Sequence, residues 1–175
     1  MLTLSHVLKA LAPSAEYQVR QDFEISGGCI DSRCAFEKGL FVALSGENTD
    51  GHQYVDQAFA NGAVLALIDH AIESRYPVVD LNQPRFELPA NTPFSLQTAN
   101  ALQALQTLAK YWRRQHNLVV IGITGSVGKS STKELTASIL SNHLKTLKNQ
   151  GNMNNEIGLP LTLLSLTEKH KVAVL

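Results

Sequence analysis

Short apolar strands alternating with amphipathic helices, a proline-rich break near the middle and a glycine-lysine-serine turn between a late strand and a helix predict an α/β chain in two parts. The first part is read as a small α/β domain over 1–82, followed by a linker over 83–94. The second, 95–175, is read as the opening of a parallel α/β domain built around that turn. With 175 residues, 44% of them hydrophobic, the chain can bury one good core or two small ones.

Charge narrows the partners. The formal net charge is zero and both signs are scattered, so no basic stripe marks a nucleic-acid surface and no polybasic run marks a membrane. Small anions gripped locally are the expected ligands. The N-terminus shows no basic region, apolar core or cleavage site of a signal peptide, and no apolar run approaches the ~18–20 residues needed to span a bilayer. A cytoplasmic protein is expected. Cys29 and Cys34 have no histidine close by in sequence and are read as two buried thiols. The six histidines lack paired metal-ligand spacing, and only His52 falls in a motif.

Along the chain, Leu4, Val7, Leu8 and Leu11 mark a first helix. Strands follow at "FEISGGCIDS" and "GLFVAL", a helix at 53–61 that Gly62 ends, and strands at "AVLALID" and "PVVDL". Three prolines in "NQPRFELPANTP" place the break. A long helix is predicted from Leu96, Ala99, Leu102, Leu105, Ala109 and Trp112, with Arg113, Arg114 and His116 at its C-terminal end. "NLVVIGIT" reads as a parallel strand covered on both faces, and Leu135, Ile139, Leu140 and Leu144 as the buried face of a helix starting at Lys129. "EIGLPLTLLSL" is predicted helical after Pro160, and "KVAVL" as a second parallel strand. Two parallel strands leave both edges unpaired, so the chain is expected to be the N-terminal part of a longer protein.

The turn itself, "GITGSVGKSSTKE", has the composition of a phosphate-binding loop, but Gly122 lies one position too early for the common G-x-x-x-x-G-K-[ST] spacing. Triphosphate binding needs converging backbone N–H groups, a residue without a side chain where phosphate approaches, and a cation. Gly125 and Gly128 supply the bare backbone, Lys129 the charge, and Ser130 a hydroxyl for Mg²⁺. A helix starting at Lys129 adds its N-terminal amides. A plain Gly/Ser turn would not call for Gly-Lys-Ser at the helix start.

"TGSVGKSSTKE" resembles the ATP-binding loop of the Mur ligases, T-G-[ST]-x-G-K-[TS], which lacks the upstream glycine and so accounts for the spacing. "GNMNNEIGLPLTLL" is similar to the G-N-x-N-N-x-I-G-x-P-x-x-L-L segment of the branch that adds D-alanyl-D-alanine. "IDSR" and "GLFVALSGENTDGHQYVDQAFANGA" are similar to the D-S-R and D-G-H patterns of its UDP-substrate domain. Lys133-Glu134 also fits that branch.

The resemblance implies an ATP- and Mg²⁺-dependent amide ligase of peptidoglycan precursor synthesis, joining D-alanyl-D-alanine to UDP-N-acetylmuramoyl tripeptide through an acyl phosphate. It implies that 1–82 binds the UDP substrate and that 95–175 begins the ATP-binding domain. The ATP contacts implied are Thr124, Gly125, Ser126, Val127, Gly128, Lys129, Ser130 and Ser131, with Ser130 on the metal. Lys129, Asn154 and Asn155 are the catalytic candidates; a buried asparagine pair would orient both substrates, while the other reading makes them helix caps. Ser32, Arg33, Gly46, Asp50 and His52 are the UDP-substrate candidates. Asp31 with Arg33 reads equally as an ion pair, and Asp50-Gly51 as a turn. A monomer is expected, and the 175-residue piece alone is expected not to ligate. The rivals are MurE or folylpolyglutamate synthase, a regulatory nucleotide-binding module, and a UDP-sugar-binding module that never engages ATP.

Overall fold

The computed structural model describes residues 1–47, 49–151 and 153–175 and divides into two compact units, Met1–Leu108 and Ala109–Leu175. In the first unit, β1 (Leu2–Thr3) pairs antiparallel with β2 (Glu24–Ile25). It leads into α1 (Leu4–Leu11), which buries Leu4, Val7 and Leu8 as their spacing predicts.

The main sheet is wholly parallel. Its strands are β3 (Gly27–Cys29), β4 (Gly39–Val42), β5 (Ala63–Ile68), β6 (Val78–Asp80) and β7 (Phe94–Gln97), in the order β3-β4-β5-β7-β6. All of β4 and nearly all of β5 are buried, which is why both read as unbroken apolar runs. Phe41, Ala43, Ala66 and Ile68 pack with Val55, Ala58 and Phe59, the latter three around α2 (Val55–Ala60). Gly62 ends that turn at φ +107°.

Three expectations for this unit change. Phe94–Gln97 is a strand, with Leu96 paired to Leu67 on one side and Val79 on the other, so 94 closes no linker and Leu96 and Ala99 precede the helix. The four-residue strand is too short to show alternation, and its Leu96 happened to fall in phase with the helical count. The helix, α3 (Ala101–Arg114), buries Ala101, Ala104, Leu105, Leu108, Ala109 and Trp112, and contains the division between the units, well beyond the expected break at 83–94. Of the two free cysteines only Cys29 is buried, its thiol pushed up to about 11 by burial; Cys34 is exposed in a 3-10 turn over Ser32–Cys34.

Among its described residues the second unit carries three parallel strands where two are predicted. They are β8 (Val119–Ile121), β9 (Thr146–Lys148) and β10 (Val172–Val174), ordered β8-β10-β9. "TLK" has no apolar run to announce β9. β8 lies at the sheet edge, and Val119 and Val120 are exposed, so the expected cover on both faces is absent over these two residues.

Between β8 and β9 runs α4 (Lys129–Ser141), and of its predicted buried face only Leu140 packs inward. Leu135 and Ile139 are 64% and 57% exposed and Leu144 is exposed, while Lys133 and Ala137 are buried and Leu140 packs with Ala137 on Val172 and Val174. Lys133, Ala137 and Leu140 do form a helical stripe, but a lysine within it hides the stripe from a hydrophobic count. α5 (Gly158–Leu164) begins two residues before Pro160, which its first turn accepts because the missing N–H has no helical partner there. No helix among the described residues is long and apolar enough to cross a membrane.

Candidate functional site

The predicted phosphate loop runs through the turn between β8 and α4 into the first residues of α4. The β8 ladder continues past its end, with Leu175 N–H donating to Ile121 O (2.9 Å) and Ile123 N–H to Leu175 O (2.8 Å). Thr124 to Gly128 then form an exposed loop. Gly128 is the N-cap of α4, held at φ +80°, and offers no side-chain capping bond to the first turn. A helix start left uncapped by side chains presents its amides to an incoming anion. Lys129 Nζ donates to Gly125 O, so the cation lies folded over the loop it would share with phosphate. The hydroxyls of Thr124, Ser126, Ser130 and Ser131 belong to exposed residues, as does Val127. Ser130, directly after the lysine, is free to face a cation at that position.

Asn154 and Asn155 sit before α5, and both are exposed, not buried as the orienting-pair reading requires. Asn155 Oδ1 accepts from Gly158 N–H at 2.7 Å and Ile157 N–H at 3.3 Å, so its oxygen caps the helix start. Asn154 remains available to a ligand.

In the first unit the UDP-substrate candidates follow the C-terminal ends of β3 and β4, the edge at which parallel sheets bind ligands. Ser32 is buried, its Oγ donating to Gln57 Oε1 at 2.7 Å, and its carbonyl accepts from Asn61 Nδ2 at 2.8 Å. Arg33 is exposed and forks onto Asp31 through Nε (2.9 Å) and Nη2 (2.7 Å). Hydrogen bonds from Arg33 hold the Asp31 carboxyl down at about 2. Gly46 N–H donates to Thr49 O at 2.9 Å, folding the loop after β4 back on itself.

Asp50 and His52 join two residues the sequence did not single out. His52 Nδ1 lies 2.6 Å from Asp50 Oδ1, His70 Nε2 3.1 Å from Asp50 Oδ2, and His70 Nδ1 3.0 Å from Asp69 Oδ1. The Asp69 N–H donates to His52 Nε2 at 3.1 Å, and Asp69 Oδ2 accepts from Ala101 N–H at 3.1 Å. Asp50 is drawn down to about 2, first by the His52 backbone N–H. Asp50, His52 and His70 bring ligand-type atoms within 4.8 Å of one another. Both ring nitrogens of His52 and of His70 already lie within hydrogen-bonding distance of a protein partner, so the cluster is satisfied without an ion. The tetrad therefore ties the loop after β4 to the end of β5. Its distant halves, Asp50-His52 and Asp69-His70, share no sequence spacing that would reveal them.

Two family models match successive parts of the chain. Residues 24–113 match the family model described as Mur ligase family, catalytic domain, and residues 123–175 match Mur ligase middle domain. The UDP-N-acetylmuramoyl-tripeptide–D-alanyl-D-alanine ligase of Haemophilus influenzae is 38% identical over 179 aligned residues, taking in 100% of this chain and 36% of that protein. A crystal structure of MurF from Acinetobacter baumannii superposes with a TM-score of 0.72 at 32% identity, over 97% of this chain and 34% of that one. MurF from Thermotoga maritima in complex with ADP superposes with a TM-score of 0.64 at 28% identity, over 84% of this chain and 30% of that one. The chain thus spans about a third of the length of the curated relatives it matches.

Proposed function

The chain belongs to the Mur ligase family, and from that premise we propose that it supplies the UDP-substrate-binding region and the nucleotide-binding opening of a UDP-N-acetylmuramoyl-tripeptide–D-alanyl-D-alanine ligase. The observation that carries this reading is the uncapped start of α4, with Gly128 in the left-handed conformation and Lys129 folded over Gly125 O, in a chain matched along its length by such ligases.

Joining an amine to a carboxylate in water is uphill, so the carboxylate must first be activated. In the proposed reaction its oxygen attacks the γ-phosphorus of ATP, ADP leaves, and an acyl phosphate forms. The amine of D-alanyl-D-alanine then attacks the acyl carbon, loses a proton, and inorganic phosphate departs. Lys129 exchanges Gly125 O for the β- and γ-phosphates, and the α4 amides with Gly125 and Gly128 cradle the remaining oxygens. Ser130 is the residue that would hold Mg²⁺, and the ion would supply charge neutralisation to the phosphoryl group. Asn154, exposed beside its capping neighbour Asn155, is the one of the two left to contact the muramoyl peptide.

In the first unit Arg33 is the diphosphate contact, because its guanidinium, though forked onto Asp31, is 80% exposed, while Ser32 and His52 are buried and Asp50 is bonded to His52. Those three, with Gly46, shape the edge on which the substrate lies. Separate calorimetric titrations of the chain with UDP-N-acetylmuramoyl tripeptide and with Mg-ADP test this division. Saturable heat from both supports it; heat from the UDP compound alone returns the chain to a UDP-sugar-binding module.

A further inference from the structure

Lys133 lies one helical turn beyond Lys129 and is only 6% exposed. A buried ammonium is costly unless acceptors surround it. Here Nζ donates to Asn149 O at 2.9 Å and to Gly151 O at 2.8 Å, and stands 3.5 Å from Glu134 Oε1. Glu134 also pairs with Lys148, the last residue of β9. The helix behind the phosphate loop is thus fastened to the chain that leaves β9.

The fastening continues toward the asparagines. Asn149 is 1% exposed and donates from Nδ2 to Met153 O at 3.0 Å. Met153 precedes Asn154, and Asn155 closes the segment by capping α5. One run of contacts therefore leads from the helix of Lys129, through Lys133 and Asn149, to Asn154 and Asn155. Burial alone does not ask for a lysine: an apolar side chain would fill the space but leave two backbone carbonyls without donors.

We propose that Lys133 is a positioning residue for ligation, an internal cation that sets the Asn154-Asn155 segment on the helix carrying the phosphate-loop lysine. The inference rests on the function proposed above and adds to it a residue that touches no substrate. Its loss disturbs the geometry of the bound reactants more than the binding of ATP, so kcat falls while KM for ATP stays.

The test uses the complete ligase with Lys133→Met, Lys133→Arg and Asn149→Ala, read by steady-state phosphate release and by amide exchange over 149–158. Lys133→Met is expected to lower kcat roughly tenfold to a hundredfold with KM for ATP within about threefold, and to speed exchange over 149–158. Lys133→Arg, which keeps N–H donors, recovers part of kcat. Asn149→Ala gives the same split more weakly, and combining it with Lys133→Met adds little. A wild-type kcat in Lys133→Met, or a rise in KM for ATP that alone accounts for the lost activity, overturns the proposal. Should Lys133→Met fail to fold, an unchanged kcat in Asn149→Ala overturns it. Wild-type enzyme that releases no substrate-dependent phosphate instead overturns the underlying function, a result that variant comparisons cannot mimic.

Discussion

A Cβ placed on Gly158 would stand 2.6 Å from the Met153 Cα, so the first turn of α5 and the asparagine segment meet backbone to backbone. Neither side can yield by turning a side chain. Gly158→Ala should therefore push the segment off the helix and destabilise the chain by about 1–3 kcal/mol. Urea unfolding followed by Trp112 fluorescence measures it; an unchanged midpoint would contradict the contact.

Gly128 presents the opposite case. Nothing lies within 4 Å of a Cβ built there, so only its φ of +80° resists a side chain. Gly128→Ala is expected to cost about 1–2 kcal/mol through backbone strain and to weaken Mg-ADP binding, as the loop relaxes away from the left-handed cap. Calorimetry on the variant checks both parts: ADP affinity equal to wild type would remove Gly128 from the cradle.

Acid should loosen the tetrad of the first unit. The Asp50 carboxyl, ordinarily near 3.8, is held at about 2 by hydrogen bonds from His52, so its ionised form is favoured by folding. That stabilisation is fully present above about pH 4 and is lost as pH falls from there through 2. Denaturation curves between pH 5 and 2 should fall less steeply for Asp50→Asn than for wild type. Identical slopes would mean that Asp50 contributes no such linkage.

Lys129→Ala should remove most phosphoryl transfer in the complete enzyme while leaving UDP-substrate binding nearly intact, because the lysine belongs to the second unit and Arg33 to the first. Activity assays paired with calorimetry separate the two effects. Equal loss of both would contradict the division of labour.

The sequence made the loop legible because its chemistry is local: Gly125, Gly128, Lys129 and Ser130 fall within six consecutive residues, and strand and helix flank them where expected. The strands β4 and β5 were legible because each is buried along nearly its whole length. Features joined across the chain were not. Lys133 disguises the buried stripe of α4, β7 is too short to show its period, and His70 reaches Asp50 over twenty residues of sequence. Asn155 was open to two readings, and only its bond to the Gly158 N–H shows that its oxygen caps a helix.

Phosphate release from ATP by the complete enzyme supplied with UDP-N-acetylmuramoyl tripeptide, with and without D-alanyl-D-alanine, tests the proposed ligation most directly. Sustained release is expected only when both substrates are present. Release indifferent to either would contradict it and leave the loop a generic nucleotide-hydrolysing site.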